Sequence, residues 1–363
     1  TKLRSIFRPS LCDPSALLVD ISMAARGGYG GFDLGHGRPG GVSSADLRLF
    51  PGFEKEEDFG LYAWNPEGIQ EKRKFRDVTA EDVLKGLAQG EDGEAPRLQN
   101  IGARVPLSFA TPPPQTVLNV FPNDAGYIVP LRVAFQRRGN LDGIDFLLGG
   151  SSLEVLAQKQ PIEDGTKYLT QRCPGTDIIL LCKHKQYQQN YADVGFQFER
   201  LLTGQRMDGK HDLQKLESLH IMQIGGFKVL FSADVDAVDG QGFPVEMKTG
   251  NPRYFGTKVI FQMLSSGSKT LVRADVDKRS RPPVLNRIHS VPLDTMIREN
   301  RGALLQGFIN IQEGLTTLKH SREISEDGAA EVDFIRGELE VMPCSTADIL
   351  PSRAVVEQLL QEA

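Results

Sequence analysis

Four ionisable side chains fall at two-residue spacing on either side of a turn: Asp234 and Asp236, then Glu246 and Lys248. Residues 227–234 alternate β-branched and aromatic types with polar ones, and Asp239-Gly240 is a turn signal, so the segment reads as a strand entering a hairpin. Side chains of a strand alternate between faces. Asp234 and Asp236 therefore share one face, and Phe231, Ala233, Val235 and Ala237 share the other. Beyond the turn, Glu246 and Lys248 share a face, with Val245 and Met247 opposite. A loop at residues 240–242 with symmetric pairing sets Asp236 across from Glu246 and Asp234 across from Lys248. Opposed Cβ atoms are then about 4.5–5.5 Å apart. A bulge would slip this register.

Three carboxylates on one patch repel, and each holds its proton more tightly unless a cation sits among them. Lys248 supplies one positive charge and leaves an excess of negative charge. A hard divalent ion with oxygen ligands, Mg²⁺ or Mn²⁺, is the complement. Such a set suits metal-dependent phosphodiester hydrolysis: carboxylates hold the metal, the metal polarises phosphate and activates water, and the lysine orients that water or neutralises developing charge. The competing interpretation of so short a pattern is a solvated hairpin with a charged outer face.

Other elements must position this hairpin. Thr79-Ala-Glu-Asp82 opens a helix, with Thr79 as cap and Gly90 at the end. Residues 129–135 read as a strand ending at Arg137-Arg138-Gly139, where paired arginines can face a phosphate. Residues 144–148, 153–157 and 167–169 read as further short strands, and 177–182 as a strand buried on both faces. Residues 186–202 read as a helix whose core stripe is Tyr191, Val194, Phe198, Leu201 and Leu202, with Gly204 as its end cap. Glu199 sits beside that stripe. Residues 254–264 have helical spacing and carry Gln262. Residues 270–278 and 285–292 read as strands, and 303–318 as an amphipathic helix. Residues 323–333 read as an acidic loop, 335–341 as a last strand and 352–360 as a terminal helix. Near the start, residues 14–24 read as a strand, and the glycine-rich stretch 26–41 as a loop in which Gly35-His-Gly-Arg-Pro-Gly40 lacks the strand and helix of a dinucleotide site. Thr111-Pro-Pro-Pro-Gln115 reads as a stiff seam.

Composition bounds the class. The chain has 363 residues, 40% hydrophobic and 25% charged, which is ordinary for a globular protein. Its net charge of −5 gives no global basic footprint for nucleic acid and leaves room for a local basic groove. The four cysteines lie far apart, so neither a zinc ribbon nor a disulfide framework is indicated, and a reducing compartment is expected. No apolar run is long enough to span a membrane, and no signal peptide shows. We expect one large domain over residues 1–363. Within it, residues 1–120 form an amino-terminal part, 125–320 a catalytic core and 321–363 an acidic carboxy-terminal segment.

Five landmarks occur in order: Arg138-Gly139, Gly195-Phe-Gln-Phe-Glu199, Asp234-Val-Asp236, Glu246-Met-Lys248 and Gln262. This set resembles the eukaryotic decapping exoribonuclease (DXO) family. That family carries an arginine-glycine pair, a Gly-hydrophobic-x-hydrophobic-Glu motif, an acidic-hydrophobic-Asp motif, a Glu-hydrophobic-Lys motif and a later glutamine. The resemblance spans about residues 130–320. Where the family often has glutamate to open its second acidic motif, this chain has Asp234, one methylene shorter. The resemblance implies an α/β (α+β) fold of mixed β-sheets flanked by helices, with a core similar to the PD-(D/E)XK nucleases. It further implies a site for Mg²⁺ or Mn²⁺, two ions, held by Glu199, Asp234, Asp236, Glu246 and the backbone carbonyl of Met247. Lys248 and Gln262 would contact the scissile phosphate or the attacking water, and Arg138 the RNA backbone. The implied reaction is hydrolysis at RNA five-prime ends in RNA quality control: removal of incomplete or non-standard caps including NAD caps, pyrophosphate release, and 5′→3′ digestion. The implied partners are the RNA five-prime end and a nuclear 5′→3′ exoribonuclease, and the implied location is nucleus or cytoplasm. The alternatives are a DNA-cleaving or repair nuclease of the wider superfamily and a catalytically silent RNA-binding scaffold.

Overall fold

The computed structural model describes residues 53–65, 77–91, 95–99, 106–109, 117–122, 127–162, 166–184, 186–190, 193–204, 215–250, 255–344 and 349–361. All of them belong to one compact unit, Gly41–Ala363. The expected strand at 14–24, the glycine-rich loop at 26–41, the proline seam at 111–115, Tyr191 and the start of the helix at 254 lie outside the described residues.

An eight-stranded mixed sheet forms the frame. Its order is β1 (Phe53–Trp64), β8 (Lys215–Ile224), β9 (Phe227–Asp234), β4 (Phe146–Gly149), β6 (Ile179–His184), β5 (Lys167–Arg172), β14 (Ala330–Ile335) and β15 (Glu338–Pro343). Strand β4 runs parallel to both of its neighbours, β9 and β6. Alternate residues of these central strands feed two cores on opposite faces. Phe146, Leu148, Ile179, Leu181, Val229 and Phe231 face one, and Leu147, Leu180, Cys182 and Leu230 the other. Burial on both faces explains the near-continuous apolar runs in the sequence.

The first face is covered by α3 (Ser152–Gln158), α5 (Gly256–Ser266), α6 (Leu293–Glu299) and α7 (Arg301–His320). In α7, a Cβ at Gly307 would meet the Phe261 ring at 2.6 Å and one at Gly314 would meet Leu156 at 2.8 Å. The glycines thus let α7 lie close against α5 and α3. The opposite face is covered by α1 (Ala80–Glu91), α2 (Ile128–Arg138) and α8 (Arg353–Gln361). Thr79 and Asp82 form the expected reciprocal cap of α1: the Asp82 amide donates to Thr79 Oγ1 (3.2 Å) and the Thr79 amide to Asp82 Oδ2 (2.9 Å).

A second sheet has the order β10 (Ala237–Val238), β11 (Pro244–Thr249), β12 (Thr270–Asp277), β13 (Val284–Pro292) and β2 (Leu107–Ser108). Its own core joins Val245, Met247, Val272, Ala274 and Leu285 to Phe198 and Leu202 of α4 (Val194–Thr203). A two-stranded ribbon pairs β3 (Val117–Pro122) with β7 (Gln186–Asn190).

Several elements differ from the sequence reading. Residues 129–135 and 153–157 are helical, as α2 and α3, rather than strands. Both are short apolar runs, and α2 buries Ile128, Val129, Pro130, Leu131, Val133 and Ala134, so no polar face marks its period. Residues 186–190 are a strand, and the helix expected from 186 begins only at Val194, where the Asp193 carboxylate caps it by accepting from the Gly195 amide (2.8 Å). The acidic loop expected at 323–333 is irregular only to residue 329; from Ala330 it is strand β14, which turns at Arg336 and Gly337, with φ of 56° and 82°, into the expected last strand, β15. Strands β1 and β8 had no counterpart in the sequence reading.

Candidate active site

The parallel strands β4, β6 and β9 end on one edge of the large sheet, the edge where ligands of open α/β sheets bind. A pocket of about 300 Å³ opens there. Its floor comes from the strand ends: Gly149 and Gly150 after β4, Lys183 near the end of β6, and Ser232, Ala233 and Asp234 closing β9. Trp64 at the end of β1 and Lys215 and Glu217 at the start of β8 form one wall. Asp236, Glu246 and Lys248 form another, and Gln262 and Ser266 of α5 a third. Gly149 is required by close approach: a Cβ there would lie 2.4 Å from the Tyr127 hydroxyl oxygen, which also lines the pocket.

The segment 227–248 is a hairpin in register but not a single sheet. Beyond β9, whose Asp234 pairs with Glu217 across β8, the chain leaves the large sheet. It passes buried Val235 and enters the second sheet at Ala237, which pairs with Val245. That pairing continues the expected offset, with Asp236 beside Glu246. The Asp239 amide donates to the Phe243 carbonyl (2.9 Å), enclosing the expected loop at 240–242. Asp239 Oδ1 accepts from the amides of Gln241 (2.8 Å) and Phe243 (2.9 Å), which fixes the turn. Asp234 does not sit across from Lys248. It belongs to the other sheet, is exposed at the pocket rim, and lies 3.8 Å from the Lys215 ammonium.

Charge is concentrated at the junction of the sheets. Asp236 Oδ2 accepts from the Met247 amide (2.7 Å). Glu246, only 7% exposed, is ion-paired with Lys248. Burial, and then the Glu246 charge, raises the Asp236 carboxyl to about 7. Burial, and then the Asp236 charge, raises Glu199 to about 8. Burial works against the Lys248 ammonium, but Glu246, Asp236 and Glu199 outweigh it and hold its pKa above the usual lysine value. Helix α4 brings Glu199 to this cluster by packing Phe198 and Leu202 under β11, on the side of Val245 and Met247.

Gln262 donates from Nε2 to Glu154 Oε2 (3.2 Å), and its carbonyl oxygen is buried without a partner. A free acceptor at the pocket wall can take a proton of a bound water. Arg138 lies elsewhere. At the end of α2 its guanidinium faces Glu57 (3.3 Å) and the Asp142 carbonyl (2.8 Å), and it does not line the pocket.

One acidic residue of the pocket went unread in the sequence. Glu217 Oε2 accepts from the Tyr62 hydroxyl and from Ser232 Oγ (2.6 Å). Burial, and then the Asp234 charge, raises its carboxyl above the usual range. It stands alone among Leu216, Ser218 and Leu219 in the chain, with no acidic neighbour at strand spacing, so only the pairing with Asp234 reveals it.

Among the described residues no three carboxylate, thiol or imidazole groups form a ready-made metal cage. The donor chemistry nevertheless fits a divalent cation. Asp236 and Glu199 hold their protons to near-neutral pH first because they are buried and then because they repel one another and Glu246, and a cation among them relieves that repulsion. Glu199, Asp236, Glu246 and the Met247 carbonyl would hold it.

The fold and site thus define a mixed-sheet α/β protein with a carboxylate-lined cleft at the carboxyl edge of its parallel strands. No protein-family model and no curated protein sequence matches the chain. Solved structures do. The chain is similar to Rai1 of S. pombe at 14% identity and a TM-score of 0.51, covering 82% of this chain and 98% of that one. It is similar to Candida albicans Rai1 in complex with pU5 and Mn²⁺ at 11% identity and a TM-score of 0.55, covering 85% and 96%. It is similar to Scheffersomyces stipitis Rai1 in complex with (3′-NADP)⁺ and a calcium ion at 12% identity and a TM-score of 0.53, covering 85% and 96%. The chain has the fold of these Rai1 structures, and its motifs resemble those of the decapping exoribonuclease family.

Proposed function

We propose that this protein is a divalent-metal-dependent hydrolase acting on RNA five-prime ends. The observation that carries the reading is the meeting of Asp236, Glu246, Lys248 and Gln262 in one pocket at the carboxyl edge of a Rai1-like sheet. Mg²⁺ or Mn²⁺, when bound, supplies Lewis-acid polarisation of phosphate and an activated water. Glu199, Asp236 and Glu246 hold the positive charge. Lys248, fully protonated at neutral pH, holds negative charge developing on the phosphate. The Gln262 carbonyl accepts from the attacking water and orients it. Trp64, Tyr127 and Pro130 add large, mainly apolar side chains to the pocket lining and exclude water from the terminal nucleotide. The complexes of the yeast Rai1 proteins with pU5 and with (3′-NADP)⁺ support RNA and nucleotide ends as the substrate class.

The finer reading comprises removal of incomplete and NAD caps, pyrophosphate release from triphosphate ends, and 5′→3′ digestion. It includes a second metal ion, with Asp234 among the ligands of the pair, a nuclear or cytoplasmic setting, and a nuclear 5′→3′ exoribonuclease as partner. Incubation with Mn²⁺ and RNAs bearing monophosphate, triphosphate, unmethylated-cap and NAD ends, beside matched single-stranded DNA, tests it. Cleavage at one or more RNA ends is expected, because an RNA enzyme reads the 2′-hydroxyl. Equal or faster cleavage of DNA would favour the repair-nuclease alternative. Mn²⁺ binding without cleavage of any substrate would favour the scaffold.

A further inference from the structure

The second sheet carries a charged row that begins at the pocket and leaves it. Lys248 of β11 is in register with Arg273 of β12, and Arg273 with His289 of β13. Side chains in direct register share a face. Neighbouring strands lie about 4.8 Å apart, so the row spans about 10 Å outward from Lys248. The next pair on that face is Asp275 with Arg287. Two residues the other way, Leu271 and Val291 pack into the helical core. The face therefore changes from apolar to charged as it runs toward the β12–β13 turn.

The charges on it are only partly spent. Asp275 lies 2.9 Å from His289 Nε2 and 3.8 Å from Arg273 Nη2. Arg287 is exposed, and the buried Nε of Arg273 has no acceptor. The turn adds Lys278, Arg279 and Arg281, all exposed. It is held by Asp277, which accepts from the Arg279 amide (2.9 Å) and from Ser280 Oγ (2.7 Å). Residues 270–292 hold five lysines and arginines against two aspartates, a net charge of +3 in a chain whose total is −5. A positive strip starting at the lysine of a phosphodiester-hydrolysing pocket is matched to a linear polyanion, not to a mononucleotide that the pocket itself would hold.

We propose that the β12–β13 hairpin is the track that holds the phosphate backbone of single-stranded RNA beyond the nucleotide in the pocket. This rests on the function proposed above. Arg273, Arg287 and His289 follow Lys248 along the strand direction of the RNA, and the basic turn receives the phosphates further on.

The test is the salt dependence of binding to a 5′-phosphorylated oligouridylate of about ten nucleotides, a length within one single-strand site. Calcium in place of manganese is used to separate binding from turnover. Each phosphate contact on a single strand contributes about −0.7 to the slope of log affinity against log salt. Arg287→Gln/His289→Gln is expected to make the slope shallower by about 0.7 to 1.4, depending on the charge of His289, with correspondingly weaker binding at low salt. Arg287→Lys alone should keep the wild-type slope, because it keeps the charge. Lys278→Gln/Arg279→Gln gives the same test at the turn. The proposal is overturned if both glutamine pairs fold and bind with the wild-type slope and affinity. Failure of the wild-type chain to bind any RNA, or to hydrolyse one, instead overturns the function on which the track rests.

Discussion

Replacing Lys248 with methionine keeps the side-chain length and removes the ammonium shared by Glu199, Asp236 and Glu246. Glu246 is 7% exposed as a residue and the Lys248 side chain 32%, so the pair lies between a surface and a fully buried bridge. Surface pairs contribute up to about 1 kcal/mol. Removing one partner of a buried pair costs about 3–5 kcal/mol. The partial exposure of the ammonium puts the expected loss near the lower bound, about 3 kcal/mol at pH 8. The lysine's own pKa is raised in the folded state, so its stabilisation is fully present below the unfolded lysine value and is lost only as pH rises through the folded one. Between pH 5 and pH 8 it is the carboxylates that change. Asp236 and Glu199 are protonated at pH 5 and ionise near 7 and 8, so the cost of Lys248→Met is expected to grow across that range. Denaturant unfolding with chelator present at both pH values measures it. At pH 5, where Asp236 and Glu199 are protonated, Lys248→Met/Glu246→Gln should recover most of the loss, because the Glu246 charge is not left buried and unpaired. A Lys248→Met protein as stable as wild type at pH 8, or one destabilised equally at pH 5 and pH 8, would refute the reasoning.

The same electrostatics governs other outcomes. Because Asp236 and Glu199 bind protons more tightly folded than unfolded, metal-free stability is expected to fall as pH rises from about 4 to about 8, as urea midpoints across that range will show. Saturating Mn²⁺ should raise stability by about 2.7 kcal/mol at a hundred times its Kd, and Asp236→Ala should abolish the rise; calorimetric scans with and without metal decide it. Gln262→Ala removes the free acceptor but no metal ligand, so single-turnover hydrolysis should drop by about 100- to 1000-fold while Mn²⁺ affinity is kept. Gly149→Ala drives a methyl into the Tyr127 hydroxyl and is expected to cost about 1–3 kcal/mol, which thermal unfolding reads directly.

The sequence determined those features whose physics is local. Strict alternation and an Asp-Gly turn set the offset that puts Asp236 beside Glu246, because a strand has period two and the turn fixes the register. The Thr79–Asp82 cap and the amphipathic stretch of α7 are likewise readable along the chain. Tertiary structure decided the rest. Residues 128–138 form a helix whose first two turns are largely buried, and no period distinguishes such an apolar run from a strand. Asp234 and Asp236 are two residues apart yet belong to different sheets, because the chain crosses from one to the other at Val235. Glu217 becomes part of the pocket only through the pairing of β8 with β9, and Arg138 is kept from it because its helix end faces Glu57. The row from Lys248 to His289 joins residues separated by a helix and a turn, and strand register alone brings them onto one face. Non-local pairing leaves no mark on the local pattern of a chain, so these placements could come only from the folded structure.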